Sequence, residues 1–286
     1  MADRIFPSAA LAAFDEAYPE QPRKLGHGLV GHPFFTLEAL AGLATRLDPK
    51  HVEYNEGDLP VGIDPDDVPG NGLSIADTIR SIEDCGSWMV VKFVENDPDY
   101  RAVMEEALAE LLPSVAPRTG AMLKQEAFVF VSSPGAVTPF HFDPEHNVLL
   151  QLRGRKTMTI FPAADEAIVA GAAHEAFHQG GHRNLPWRDE FAAAGRPFEL
   201  APGEAVYVPV KAAHWVKNGP EVSISLSITW RSEWSYAEAD ARGMNHVLRR
   251  FGLDPAPPQR YPSRNVAKSL AYRAIRRARS FTARSA

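Results

Sequence analysis

Two side chains near the middle of this 286-residue chain have types and a spacing that suit a metal. In the run Thr138-Pro-Phe-His141-Phe-Asp143-Pro-Glu-His-Asn147, an imidazole and a carboxylate stand two residues apart. On an extended strand residues i and i+2 share a face, so His141 and Asp143 point one way and Phe142 the other. An imidazole and a carboxylate joined by a second imidazole make the facial triad that leaves open positions on non-haem Fe(II). A His-x-Asp triplet alone says little, and its weight comes from its neighbours. His214 is the candidate third group. It follows Tyr207-Val-Pro-Val210, a strand ending in proline, and the start of a late strand can reach back across a barrel to an early one. Lys156 opens the strand after the Arg153-Gly154-Arg155 turn and can point into the same barrel. A buried cation is unfavourable unless it meets an anion, and a carboxylate-bearing cosubstrate is its natural partner.

Each of these residues also has a plain structural reading. His141 and Asp143 suit a hydrogen-bonded pair, His214 a satisfied core histidine, and Lys156 the outer face of an alternating strand. Thr138 and Asn147 are ordinary turn or strand-end residues. Trp215 and Trp230 read as core before they read as a substrate platform.

The elements that must position these groups fall into three stretches. Residues 1–120 read as a helix-rich lead-in that packs on a barrel. Leu37, Leu40, Leu43 and Leu47 mark one helix face; Ser74 caps a helix running to Arg80–Glu83, and Pro98 opens another. Trp88–Val94 is a strand candidate, and the Asp-, Pro- and Gly-rich stretch from Glu56 to Gly72 reads as the least ordered part. Residues 121–235 turn to short strands at 128–131, 148–152, 157–161, 205–208 and 222–228, punctuated by Pro134-Gly135, Gly154, Pro202-Gly203 and Asn218-Gly219. Short strands with regular turns predict an all-β sandwich or barrel. The stretch at about 163–198 interrupts them as an insertion. Residues 236–286 return to helix, at Ala237–Phe251 and Arg264–Ser280, with a proline-rich connector between.

The segment from Thr138 to Phe161 resembles the cupin-like JmjC group of Fe(II)- and 2-oxoglutarate-dependent oxygenases. Within it the likeness is greatest to the branch of the asparaginyl hydroxylase that acts on hypoxia-inducible factor. Thr138 stands three residues before His141, Lys156 fifteen after it, Asn147 four after Asp143, and His214 five after Pro209, as in that family. The resemblance implies a double-stranded β-helix, or jelly-roll, core with a helical lead-in and C-terminal helices. It implies Fe(II) on His141, Asp143 and His214, and 2-oxoglutarate held by Lys156 and Thr138, with Asn147 beside it. It also implies hydroxylation of a protein, peptide or small molecule, and a homodimer formed through C-terminal helices. Two departures stand out: Lys92 lies where the family often has a cosubstrate-binding tyrosine, and Thr229 where it has an asparagine near the end of the last strand.

The net charge of −6 divides unevenly. Residues 242–286 hold 11 basic groups and one acid, Asp254, for +10, which leaves −16 on the first 241. The basic tail reads first as a solvated or assembling helix; contact with nucleic acid or an anionic membrane is the less favoured reading. A different class of function follows from that tail, namely a non-catalytic cupin-like ligand sensor that touches nucleic acid. A metal-dependent cupin enzyme without 2-oxoglutarate is a third reading, and it has no need of Lys156. His174, His178 and His182 recur at helical spacing, but Gly180-Gly181 interrupts the helix and no HExxH pattern completes a zinc site. They read as surface, structural or mouth-lining groups. One cysteine, Cys85, excludes an intramolecular disulfide. With no apolar signal core and no apolar run of about 18 residues, the expectation is a soluble, cytoplasmic protein.

Overall fold

The computed structural model describes residues 4–56 and 72–282. Most of the Glu56–Gly72 stretch singled out above lies outside the described residues. Strands and helices follow one another as α1 (Ser8–Ala17), β1 (Arg23–Gly26), α2 (Leu37–Arg46), β2 (Val52–Glu56), α3 (Ile75–Arg80), β3 (Ser87–Lys92), α4 (Pro98–Thr119) and β4 (Met122–Ser132). They continue as β5 (Val137–His141), β6 (His146–Arg153), β7 (Lys156–Ile160), α5 (Gly171–Phe177), β8 (Arg196–Leu200), β9 (Glu204–Val208), β10 (His214–Asn218), β11 (Ser223–Ser232), α6 (Glu233–Arg250) and α7 (Val266–Thr282).

Two antiparallel sheets face one another. The larger has the order β1-β9-β6-β11-β4-β3-β2 and the smaller β5-β10-β7-β8. The expected all-β core is therefore present. The N-terminal stretch supplies strands as well as helices, since β1, β2 and β3 complete the larger sheet. Residues 196–200 form β8, which pairs with β7, so the last residues assigned to the insertion belong to the smaller sheet. Pro197 and the charged Arg196 and Glu199 hide this edge strand from a hydrophobicity reading.

Strict alternation explains how the larger sheet serves two cores. Val148, Leu150 and Leu152 of β6, Ala127, Val129 and Val131 of β4, and Ile224, Leu226, Ile228 and Trp230 of β11 join α1, α2 and α4 in the main apolar cluster. The residues between them face the smaller sheet. There Leu149, Val206 and Val208 meet Met158, Ile160, Phe198, Leu200 and Val216. The period of two thus sorts each strand onto helices on one side and onto the sandwich interior on the other. On β11 the interior positions are Ser223, Ser225, Ser227 and Thr229, all buried. Small hydroxyl side chains fill little space, and this is what leaves a cavity between the sheets. Their polarity is satisfied locally: Ser225 donates to Gln151 Oε1 (2.7 Å) and Ser227 to Asn147 Oδ1 (2.8 Å).

Caps and turns set the register. Ser74 and Asp97 accept from backbone N–H groups at the starts of α3 and α4, and Ser232 and Ser235 form a reciprocal capping box that opens α6. Gly154, at φ +67°, turns β6 into β7, and a Cβ there would sit 2.3 Å from the Val222 carbonyl oxygen. Only glycine fits. At the C-terminus, α7 docks on α6: Tyr272 fills the notch at Gly243, and Asp240 takes hydrogen bonds from Ser269, Arg273 and Arg276. Two arginines of the basic tail are thereby paired within the chain, at its surface. No helix among the described residues is long and apolar enough to cross a membrane.

Candidate metal centre

His141 ends β5, Asp143 lies two residues on in the following turn, and His214 opens β10, its Cα paired with that of His141. Asp143 is thus just past the strand end rather than on it. The chain stays extended through Phe142, whose N–H donates to the Arg183 carbonyl (3.3 Å), so both side chains still converge. One Asp143 oxygen, Oδ2, sits 3.7 Å from Nε2 of His141 and 3.7 Å from Nε2 of His214. One donor atom from each of the three lies within 4.8 Å of the others, and among the described residues no other group of three metal-binding side chains gathers in this way.

The backbone orients both imidazoles. His141 Nδ1 is 2.7 Å from the Pro139 carbonyl oxygen and His214 Nδ1 is 2.9 Å from that of Ala212. A carbonyl can only accept, so Nδ1 carries the proton in each ring and the Nε2 lone pairs face the centre. Burial, reinforced for His141 by the neighbouring imidazole, keeps both rings neutral, with His141 pushed down to about 3. Burial opposes the charge on Asp143, but the Arg183 guanidinium hydrogen-bonded to it outweighs this and holds the carboxyl at about 2. Two neutral imidazoles and a carboxylate, with lone pairs converging on one point, fit a divalent metal without prior loss of a proton.

The centre opens into a cavity of about 620 Å³ whose lining includes Thr138, Asn147 and Lys156 as well as the triad. Lys156, at the start of β7, is 6% exposed, and its ammonium has no ion-pair or hydrogen-bond partner among the described residues. Burial drags it from 10.5 to about 7. A buried, unpartnered ammonium facing a cavity fits an anionic ligand. The Thr138 hydroxyl is likewise without a partner among the described residues. Asn147 spends its carbonyl on Ser227, which leaves its amide hydrogens for the cavity.

Several groups at this site carry no signal in the sequence. Arg183, from the insertion, donates to Asp143 Oδ1 at 3.0 Å. Lys211, at φ +61°, donates its N–H to the Asp143 carbonyl oxygen at 2.8 Å. Its side chain forms a fully buried ion pair with Glu238 of α6 at 2.6 Å, and Glu238 also accepts from Arg242. Glu145 lines the cavity with no partner among the described residues, and burial, with Asp143 nearby, lifts its carboxyl to about 7. Trp88, Phe93, Phe128 and Phe130 form an aromatic wall, with Trp88 and Phe130 6.0 Å apart and Phe93 and Phe128 5.5 Å apart. The alternation of Phe128 and Phe130 on a strand was the only available pointer to it.

The three histidines of the insertion separate. His182 lines the cavity, while His174 and His178 do not, His174 packing against the ring of Phe142 at 4.6 Å and His178 against that of Phe177 at 5.3 Å. Burial holds both far below the usual imidazole range. Trp230 is fully buried and Trp215 packs partly buried beside Trp187.

A family model described as a cupin-like domain matches residues 87–236, which is just over half the chain. Lysine-specific demethylase 8 of Xenopus tropicalis is 28% identical over 102 residues, 34% of this chain and 23% of that protein. Lysine-specific demethylase JMJ30 of Arabidopsis thaliana is 28% identical over 107 residues, 35% of this chain and 24% of that protein. The matches therefore span about a quarter of the length of these relatives. Among solved structures, ycfD of E. coli superposes with a TM-score of 0.53 at 19% identity, over 92% of this chain and 66% of that one. That likeness is one of fold.

Proposed function

This chain belongs to the cupin-like domain family, and from that membership and the donors at its centre we propose that it is an Fe(II)- and 2-oxoglutarate-dependent oxygenase. The observation that carries the reading is the pairing of a His-Asp-His triad with the buried, unpartnered Lys156 in one cavity. A metalloprotein that uses no anionic cosubstrate has no use for that lysine, nor does a non-catalytic sensor of neutral ligands. His141, Asp143 and His214 are the metal ligands in this reading, and Lys156 and Thr138 hold the far carboxylate of 2-oxoglutarate, with Asn147 beside it. Bound there, ferrous iron and 2-oxoglutarate would supply the electrons that activate dioxygen, so that one oxygen atom enters a C–H bond of the substrate and the other enters succinate as carbon dioxide leaves.

The protein's own part is positional and electrostatic. Pro139 and Ala212 fix the imidazole tautomers through their carbonyls. The positions of Lys156 and His214 are linked through β10, whose far end, Asn218, pairs with Lys156. Four strand residues span roughly 13 Å, enough for a lysine side chain and a small diacid in series. Leu149, Met158 and Val216 give this part of the cavity apolar walls that exclude water. The aromatic wall and Glu145 lie along the same cavity and face an incoming substrate.

For the substrate, a protein or peptide side chain is our reading ahead of a free small molecule. The finer affinity with the asparaginyl-hydroxylase branch rests on motif spacing alone. Cytoplasmic residence belongs to the same reading, supported by a single, unpaired cysteine. So does a homodimer through the C-terminal helices, supported by Phe251, Leu253, Val266 and Leu270, each more than half exposed at the end of α6 and the start of α7. The test of the activity is succinate formation from 2-oxoglutarate with Fe(II) and air. Turnover by the wild type that disappears in Asp143→Ala is the expected result, and equal turnover by both removes the assignment.

A further inference from the structure

The two oxygens of Asp143 have different surroundings. Oδ2 faces the two imidazoles at 3.7 Å, whereas Oδ1 accepts a hydrogen bond from Arg183 Nη1 at 3.0 Å. We propose that Arg183 is a positioning residue that reserves Oδ1 and so confines Asp143 to binding the metal through Oδ2 alone. This inference rests on the reading of the triad as a metal centre.

Arg183 does not reach the carboxylate by chance flexibility. Residues 183–185 run antiparallel beside the strand that carries His141. Phe142 N–H donates to the Arg183 carbonyl (3.3 Å), Leu185 N–H to the Phe140 carbonyl (2.8 Å), and His141 bridges Asn184. Leu185 is buried with Phe140, Phe142 and Phe161, which anchors the stub on β5. The guanidinium is thus delivered by backbone pairing with the strand that ends in a ligand of the centre. On the opposite side, the Lys211 N–H holds the Asp143 carbonyl oxygen at 2.8 Å, so backbone and carboxylate are both fixed.

The chemical consequence is a coordination number. A carboxylate with both oxygens free can bind a divalent cation through one or two of them. The Arg183 hydrogen bond takes up one lone pair of Oδ1, draws density from it and sets a positive guanidinium beside it, which together disfavour its approach to a cation and leave Oδ2 the stronger ligand. With Oδ1 withheld, the triad fills three of six octahedral positions and leaves three for exogenous ligands. With Oδ1 released, Asp143 can take a fourth and close one of them.

Mn(II) reads this directly, because water-proton relaxivity per bound ion scales with the number of coordinated waters. Arg183 is 47% exposed on its side chain, so its replacement leaves the core intact. In Arg183→Met the relaxivity per bound Mn(II) is expected to fall by about one third, from roughly three waters to two. Arg183→Lys, which keeps a cationic donor, is expected to recover at least half of the loss. Wild-type relaxivity in Arg183→Met overturns the proposal. Failure of Arg183→Lys to recover anything also overturns it, since packing of the segment rather than the hydrogen bond would then be responsible. So does loss of Mn(II) binding by a folded Arg183→Met, because a freed carboxylate gains a ligand oxygen. A wild-type protein that binds no Mn(II) brings down the metal reading itself, a failure distinct from the others.

Discussion

Replacing Lys156 by methionine is expected to move stability and ligand binding in opposite directions. The ammonium is 6% exposed and has no partner among the described residues, and burial lowers it from 10.5 to about 7. At ~1.4 kcal/mol per pKa unit, that environment disfavours the charged form by up to about 5 kcal/mol. Exchange of buried charges for apolar side chains of similar volume typically stabilises by ~1–4 kcal/mol. Lys156→Met without ligand is therefore expected to melt higher, by about 5 °C for a gain of ~2 kcal/mol in a chain of this size. The same change deletes a charge-assisted hydrogen bond worth ~1.5–3 kcal/mol, so 2-oxoglutarate affinity is expected to fall about 10- to 100-fold. Thermal unfolding of the metal-loaded protein with and without 2-oxoglutarate, alongside calorimetric titration, reads both effects. A variant that melts lower and binds 2-oxoglutarate as well as the wild type would instead make Lys156 a structural cation with no part in ligand binding.

Three further outcomes follow from the same geometry. Lys156 sheds its proton above about pH 7 in the folded protein but only near 10.5 when unfolded, so the unfolded chain binds more protons in that window. Stability of the ligand-free protein should therefore rise with pH from about 7 to 10.5. Over the same range 2-oxoglutarate affinity should fall by up to about tenfold per pH unit, helped by ionisation of Glu145 near pH 7. A flat calorimetric profile between pH 7 and 9 contradicts this. Glu238→Ala, which strands Lys211 in the interior and leaves Arg242 with Glu166 alone, is expected to lose ~3–5 kcal/mol in denaturant titration. A loss below ~1 kcal/mol would mean that the pair carries little of the coupling between α6 and the centre. Gly154→Ala forces a Cβ to within 2.3 Å of the Val222 carbonyl oxygen at a positive φ. A loss of at least ~1–3 kcal/mol is expected, and an unchanged melting temperature contradicts it.

The candidate centre was legible because strand periodicity and short, glycine-marked turns determine which side chains share a face. His141 and Asp143 sit two apart, Lys156 directly follows a glycine turn, and His214 directly follows a proline-ended strand. The convergence of His141 with Asp143 follows from local spacing, whereas the addition of His214 and the ligand roles of all these residues came from the likeness to the oxygenase family. Arg183, Lys211 and Glu238 were not legible, for a common reason: each acts through a partner 27 to 40 residues away, fixed by packing. Arg183 belongs to a segment that reads as an interruption of the strand pattern, yet its backbone pairs with β5. β1 and β8 escaped because they are short edge strands with charged residues, and such strands lack the alternation that marks half-buried ones. The serine-rich interior face of β11 is the opposite case. Alternating serine and isoleucine or leucine reads plainly as a strand, but that the serines leave room for a cavity emerges only when the second sheet is in place.

In the proposed function, His141, Asp143 and His214 hold one metal with open positions to which 2-oxoglutarate binds under the hold of Lys156. Anaerobic addition of Fe(II) and then 2-oxoglutarate to the purified protein, followed by visible absorption spectroscopy, tests it most directly. A charge-transfer band is expected that appears only when both are present, is lost in Asp143→Ala, and needs far more 2-oxoglutarate in Lys156→Met. A folded wild-type protein that shows no band at saturating Fe(II) and 2-oxoglutarate, or a band of full intensity in Asp143→Ala, contradicts it.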